Sequence, residues 1–465
     1  MVSRSFGLRH AVFAVVAIVA VMLVLWPPAA FTRSQAATFA AVLLTLGLWG
    51  TALVPGYFAS LLFFAVTLIA GLASPAAVFS GFSSAAVWLI ISGFVIGSAI
   101  GLTGLGDRLA AVIGPPLTRS YPRLIGGLMA AAMALGFLMP SSVGRAVVMV
   151  PIGMALADRC GFGRGSRGRI GVAAVLAIGC NMPSFAVLPS NIPNMVLAGA
   201  AETIYGARFG YTEYLLLHFP VLGVLKSAIT VGLVLKLFPA TVAPAAAAEG
   251  PKAALAKVDR GAQLRVAVIL VLTLLLWMSD KLHGINSAWI GIGTAVLLLA
   301  PRIGVVGPQA FKGAVDFGLL LFVAGALALG AVVDGSGLGR LIGGFLEAAL
   351  PLAPGRDFVN FLSLTVMSFA SGMVTTVPSV PAVLTPMAGD LAHLSGFSLN
   401  AVLMTEVVGF STVLFPYQVG PLVVAMQLSG ERLDHLLRIT VPLTLITLLA
   451  LAPIDFLWWK LLGWI

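Results

Sequence analysis

Four short polar stretches interrupt otherwise apolar sequence: "PSSVGR" (140–145), "LPSNIPN" (188–194), "TTVPSVP" (375–381) and "FPYQVGP" (415–421). Each sets helix breakers beside hydroxyl or amide side chains. Proline and glycine interrupt the helical ladder, and the backbone groups they free need partners. Hydroxyls, amides and the starts of new helices can hold a small ion; the positive end of a helix dipole favours an anion. The substrate contacts predicted from these stretches are Ser141, Ser142, Arg145, Ser190, Asn191, Asn194, Thr375, Thr376, Ser379 and Gln418. Arg145 has three readings. Its planar fork suits a carboxylate or sulfate oxygen pair. It also suits a fixed cation in place of a bound sodium, or a structural partner of a carboxylate or of helix-end carbonyls. Glu406, in "AVLMTEVVGFSTV", either carries a coupling proton or pairs with Arg145 or Lys226. Lys226 is assigned to a scaffold. Asp390 and His393 are placed at a solvated hairpin mouth, and Asp316 and Asp334 at helix ends facing water.

The same residues argue against catalysis. The chain has no HExxH motif, and none of its five histidines falls in a polar break. A nucleophilic serine would need such a base nearby. No GxxxxGK[ST] loop is present for a primary pump. The histidines make no metal site, and Cys160 and Cys180 fit no disulfide or metal spacing. The expectation is a non-enzyme without cofactor, whose accessory ion is Na+ or H+.

The elements that must carry these stretches are membrane helices. The 465 residues are 60% hydrophobic and 9% charged, with a mean hydropathy of +1.09. A soluble domain carries about 25% charged residues. Many apolar runs approach the roughly 20 residues that span a bilayer, whereas a β-barrel would show short alternating segments. Eleven helices are predicted near 11–30, 36–54, 57–74, 84–103, 170–200, 214–237, 264–282, 286–303, 314–334, 398–428 and 439–462. The first could pass for a signal peptide but is long for one. Segments 124–157 and 358–394 are interrupted at mid-length and predict re-entrant hairpins. With the N-terminus inside, eighteen basic residues fall on the inner side and six on the outer, as cytoplasmic loops require. The C-terminus is then outside. The net charge of +10 reflects this orientation, not nucleic-acid binding. The lipid bilayer and a small anionic substrate are the expected partners.

The pattern repeats. "GSAIGLTGLGDRL" (97–109) resembles "GAVVDGSGLGRL" (330–341), "PIGMALADRCGF" (151–162) resembles "PMAGDLAHLSGF" (386–397), and "VLPSNIPNMVLA" (187–198) resembles "LFPYQVGPLVVA" (414–425). The offsets are 233, 235 and 227. The first hairpin opens inside and the second outside, so the copies are inverted. Inverted repeats with broken helices mark secondary transporters, with the site near mid-membrane. The predicted organisation is an N-terminal helix in 1–35, a first repeat over 36–238, a cytoplasmic linker over 239–263 and a second repeat over 264–465. The hairpins are 124–157 and 358–394, and the broken helices are 170–200 and 398–428. The fold class is all-α integral membrane.

On these motifs the chain resembles the divalent anion:sodium symporter family over roughly residues 40–460. The landmarks are "GLTGLGDRLA", a hairpin arm ending "MVPIG", and the broken helix with its Asn-Pro loop. The resemblance implies alternating access by an elevator motion, a homodimer in a bacterial-type inner membrane, and a dicarboxylate, citrate or sulfate as substrate. The family carries Ser-Asn-Thr at both hairpin tips. Here the same register holds Ser141-Ser142-Val143 and Thr376-Val377-Pro378. Asn194 falls on the family's loop asparagine. The resemblance makes Ser141, Asn194 and Thr376 candidates for ion coupling, and Glu406 joins them on its own position within its helix. The changed tips imply weak or absent sodium dependence, and a sodium-independent exchanger or exporter is the alternative.

Overall fold

The computed structural model describes residues 2–105, 116–242, 259–338, 341 and 350–465. Residues 243–258 of the predicted linker, and Arg108 and Arg340 in the first pair of repeated motifs, lie outside the described residues. Among the described residues all regular structure is helical.

The first half opens with α1 (Val2–Leu25), α2 (Arg33–Thr51), α3 (Gly56–Ile69) and α4 (Ala85–Thr103). A hairpin follows, α5 (Tyr121–Leu138) and α6 (Ser142–Arg159). Next comes a broken helix, α7 (Arg167–Gly179) and α8 (Ile192–Tyr205), joined through two 3-10 turns. α9 (Tyr211–Leu237) closes the half. The second half repeats the order with α10 (Arg260–Met278), α11 (Ser287–Leu299), α12 (Phe317–Gly335), a hairpin of α13 (Asp357–Val374) and α14 (Val377–Ser395), a broken helix of α15 (Leu399–Phe410) and α16 (Gly420–Ser429), and α17 (Leu433–Leu461).

Local sequence sets these boundaries. Ser84, Ser120, Ser141, Ser166 and Ser398 cap α4, α5, α6, α7 and α15, each accepting a first-turn N–H. Such a cap satisfies a donor the helix itself cannot. Prolines then sit where the missing N–H costs nothing, in the opening turns of α8 and α16.

Seven described helices are long and apolar enough to cross a membrane, or eight if α14 and α15, bent by 117°, form one span. The sequence predicts eleven. The difference includes the short elements α3, α11 and α16, of 14, 13 and 10 residues, and also α1 and α2, which are not among the seven. Irregular backbone at membrane depth is tolerated only inside protein or beside a wet cavity, and the packing meets that condition. The window Arg167–Ala186 is 100% buried, whereas Arg260–Met278 is 28% buried. The first broken helix is therefore central and α10 faces lipid. Glycine and alanine along "RIGVAAVLAIG" let neighbours approach α7 closely.

The halves interlock crosswise. α6 packs against α7 and α16, and α8 packs against α12 and α14. Each hairpin's second arm thus lies beside the second half-helix of the opposite repeat. α9 packs against α5, α7 and α17. Lys226 on α9 consequently sits among the broken helices rather than apart from them in a scaffold.

Candidate functional site

All four polar breaks meet at one cavity of about 700 Å³. Its walls include residues 139–144 of the first tip, 191–193 of the first broken helix, 377–378 of the second tip and 419–421 of the second broken helix. α4 closes one side through Gly93, Gly97 and Ser98, and the turn before α12 closes another through Gly313 and Asp316.

The first tip is built by a short chain of consequences. α5 stops at Leu138, Met139 is extended, and Ser141 caps α6 by accepting from Gly144 N at 3.0 Å. Gly144 keeps the tip tightly packed. A Cβ on it would lie 2.6 Å from Met139 Cε and 3.3 Å from Ser141 Oγ. The starts of α6, α8 and α16 all reach the cavity wall. α8 is capped by Asn191, whose Oδ1 accepts from Ile192 N at 3.1 Å. α16 has no side-chain cap. The positive ends of three half-helices therefore point at one space, the arrangement that favours an anion.

The predicted contacts divide into a wall and a layer behind it. Ser141, Ser142 and Asn191 line the cavity. Ser190, Asn194, Ser379 and Gln418 are buried behind it and hold the breaks in shape. Ser190 Oγ donates to Gly136 O in α5. Gln418 Nε2 donates to Gly372 O in α13 at 2.6 Å, while its Oε1 accepts from Phe415 N at 2.7 Å. These two ties are equivalents, each fastening a broken helix to its own hairpin. Asn194 Nδ2 donates to Ser184 O, Phe185 O and Val187 O at 3.2, 3.1 and 3.0 Å. Thr376 and Ser379 share a 3.0 Å hydrogen bond at the second tip. Thr375 faces a separate apolar cavity of about 920 Å³, bounded by α1, α2 and α13.

Arg145 is where the structure departs furthest from the anion-contact reading. It is fully buried and turned away from the cavity. Its Nε donates to Cys180 O at 2.8 Å, and Nη1 donates to Met139 O and to Ser190 Oγ, the latter at 3.1 Å. Nη2 donates to Ser142 Oγ at 2.9 Å and to Ser190 O at 3.3 Å. All five N–H donors of a guanidinium have acceptors, and none is left for a substrate. The helix-end-carbonyl reading matches this arrangement, because Cys180 is the C-cap of α7. The physical reason is economy: a buried fork that satisfies several carbonyls needs no carboxylate.

Glu406 is buried in α15 and meets neither Arg145 nor Lys226. Thr385 Oγ1 donates to its carboxyl oxygens at 3.3 Å. Lys226 Nζ instead donates to Ser411 O, the C-cap of α15, at 2.8 Å. Asp316, read from sequence as merely solvated, is exposed but belongs to the cavity wall, where it caps α12 through Leu319 N at 2.9 Å. It is the one charged side chain among the described lining residues. Its signal in the sequence was the cap pattern "VDFG", which marks a helix start but not what faces it. Asn181 was also missed; neither of its amide atoms has a hydrogen-bond partner, and Asn194 Oδ1 has none.

No group of three or more His, Cys, Asp or Glu suited to a metal occurs among the described residues. The carbonyls at the first break are already taken by Arg145 and Asn194. The arrangement can hold a small anion between hydroxyls and helix N-termini, with no charged side chain bound to it.

A family model described as the sodium:sulfate symporter transmembrane region matches residues 8–465. A "Membrane protein" of Cupriavidus necator is 25% identical over 409 residues, which cover 83% of this chain and 77% of the relative. The crystal structure of the Alcanivorax borkumensis YdaH transporter superimposes with a TM-score of 0.54 at 17% identity, covering 87% of this chain and 89% of that one. That likeness establishes the fold.

Proposed function

The chain belongs to the sodium:sulfate symporter family, and from that premise we propose that it is a secondary active transporter of small divalent anions, sulfate- or dicarboxylate/citrate-like. It is an integral membrane protein of a transporter family. The observation that carries the reading is the convergence of four broken segments on one cavity of about 700 Å³, with three half-helix starts in its wall. Broken helices from two repeats around one site are what alternating access requires. Ser141 and Ser142 contact the anion beside the first turn of α8, and Ser190, Asn191, Asn194, Thr376, Ser379 and Gln418 hold the site, Asn191 through Nδ2 to Asn181 O and Ser184 Oγ. The repeats are inverted and span 36–238 and 264–465, joined by the cytoplasmic linker 239–263. The N-terminus is cytoplasmic and the C-terminus outside, in a bacterial-type inner membrane. Two copies form a dimer, and the broken-helix unit moves as an elevator.

Sodium-independent operation is favoured by a specific feature. The ends of α7 and α15, where a coupling cation would meet free carbonyls, are occupied by Arg145 on Cys180 O and Lys226 on Ser411 O, each at 2.8 Å. Fixed cations stand where a mobile coupling cation would otherwise meet helix-end carbonyls. The test is uptake of radiolabelled sulfate, succinate and citrate into proteoliposomes, with sodium replaced by choline. The expected result is uptake of at least one anion, unchanged without sodium. No uptake or exchange of any divalent anion would overturn the transport reading, and a steep sodium dependence would overturn the second.

A further inference from the structure

Two buried charges lie away from the cavity, at matching places in the two halves. α9 widens into a π-helical stretch at Phe219–Leu225 and resumes at Lys226. α17 widens at Thr447–Leu451 and resumes at Ala452, with Asp455 one turn on. Positions 226 and 455 are 229 apart, inside the spacing of 227 to 235 that relates the repeated motifs. π-helical insertions are rare and concentrate at functional sites. Here each one carries a buried charge of opposite sign.

The two cations at the helix breaks are held very differently. Arg145 has acceptors for every donor. Lys226 gives a hydrogen bond of 2.8 Å to Ser411 O at the end of α15, and Asp455 on the neighbouring α17 acts on it as an opposite charge across more than 4 Å, without a direct ion pair. Asp455 is fully buried, and the one donor beside its carboxyl, Trp459 Nε1 a turn further along α17, lies outside good hydrogen-bonding geometry. A buried carboxylate with only one poorly aligned donor costs several kcal/mol as the ion and far less as the neutral acid. Lys226, by contrast, has a helix C-terminus to favour its charge. The other titratable groups packed around the pair are His218, whose ring is 5.7 Å from that of Trp459, and Tyr214, whose hydroxyl donates to Phe185 O at 2.9 Å. Asp357 and Lys460 lie 3.9 Å apart near the end of α17.

We infer that Lys226 and Asp455 form a proton-binding pair that couples proton movement to anion movement. The inference rests on the anion-transport reading above. One proton adds to the Asp455 carboxylate to give the acid, and the pair changes from neutral to a net single positive charge. No other bond forms or breaks. That charge sits at the end of α15, whose continuation after the break, α16, starts at the cavity wall. An anion in the cavity then favours the protonated pair, and by linkage the protonated pair favours the anion. A proton travels with the substrate.

Infrared titration of the purified protein in liposomes reads the proton directly. We expect a carboxylic-acid C=O band that responds to pH and is missing from D455N. In uptake assays with sulfate and succinate, the unmodified protein should accumulate anion against its gradient when the outside is acidified. D455N should lose that accumulation yet keep anion exchange. If D455N does not fold, the doubly neutral K226Q/D455N carries the same comparison. An unchanged band, or pH-driven accumulation by the neutral variant equal to that of the unmodified protein, overturns the inference. If the unmodified protein neither takes up nor exchanges either anion, the transport reading and the coupling inference fall together. The band would then show only whether the pair binds a proton.

Discussion

Replacing Arg145 by methionine removes a side chain that is fully buried and bonded through all its nitrogens. The hydroxyls of Ser142 and Ser190 can turn to other acceptors, but the carbonyls of Met139, Cys180 and Ser190 lose a donor in a dry environment. Each carbonyl left unpaired costs about 1–3 kcal/mol. Relief from burying a charge offsets part of this. The net destabilisation is therefore about 3–5 kcal/mol, a large share of the roughly 5–15 kcal/mol that holds a typical fold. Arg145→Lys keeps the charge but not the fork, and should fall about halfway. The assay is thermal unfolding of the detergent-purified protein with size-exclusion monodispersity, followed by anion binding to the folded fraction. Both variants should unfold early, and whatever remains folded should still bind anion. An Arg145→Met protein as stable as the parent but unable to bind anion would refute the clamp and restore Arg145 as the substrate contact.

Other outcomes follow from the same geometry. Asp316→Asn removes the one acidic side chain of the described cavity wall, and a single charge a few ångströms away through water contributes up to about 1 kcal/mol. Anion affinity should rise by up to about fivefold at low ionic strength, an advantage that salt erases. Gly144→Ala places a Cβ 2.6 Å from Met139 Cε and 3.3 Å from Ser141 Oγ; the methionine end can swing aside, so the cost should stay at or below the roughly 1 kcal/mol low end of overpacking, and uptake should slow more than expression falls. Single cysteines at Ser120 and Ser166, the caps of α5 and α7, should resist an impermeant thiol reagent added outside intact cells, and ready labelling of either would invert the topology.

Much of the architecture was readable because breakers and charges are local signals. Pro140, Pro193, Pro378 and Pro421 each mark a true interruption, and the helix edges fall at serine caps that the sequence states openly. The repeat was readable because short motifs recur at nearly constant offsets. What escaped has a common cause: sequence gives a side chain's depth but not its direction. Arg145 lies three residues past the tip, yet its acceptors Cys180 and Ser190 are 35 and 45 positions away, and nothing local says the fork turns toward them. Lys226 and Asp455 were hidden differently. Each follows a π-helical stretch that shifts the helical register, so neither falls on a face that a regular period would assign. Asp455, in "PIDFLWWK", also looks like part of an interfacial helix end with its tryptophans. Packing buries it instead.

The central claim is that the anion sits where the four breaks meet. Its most direct test is a single cysteine at Ser141, in a background where Cys160 and Cys180 are replaced by serine or alanine, labelled in proteoliposomes by a charged thiol reagent. The account predicts that labelling slows as a transported divalent anion is added, with half-protection near the concentration that half-saturates uptake. The same anion should leave a cysteine at Ser363, in the separate apolar cavity, unprotected. Labelling of the Ser141 position at the same rate with and without an anion that the protein demonstrably transports would contradict it.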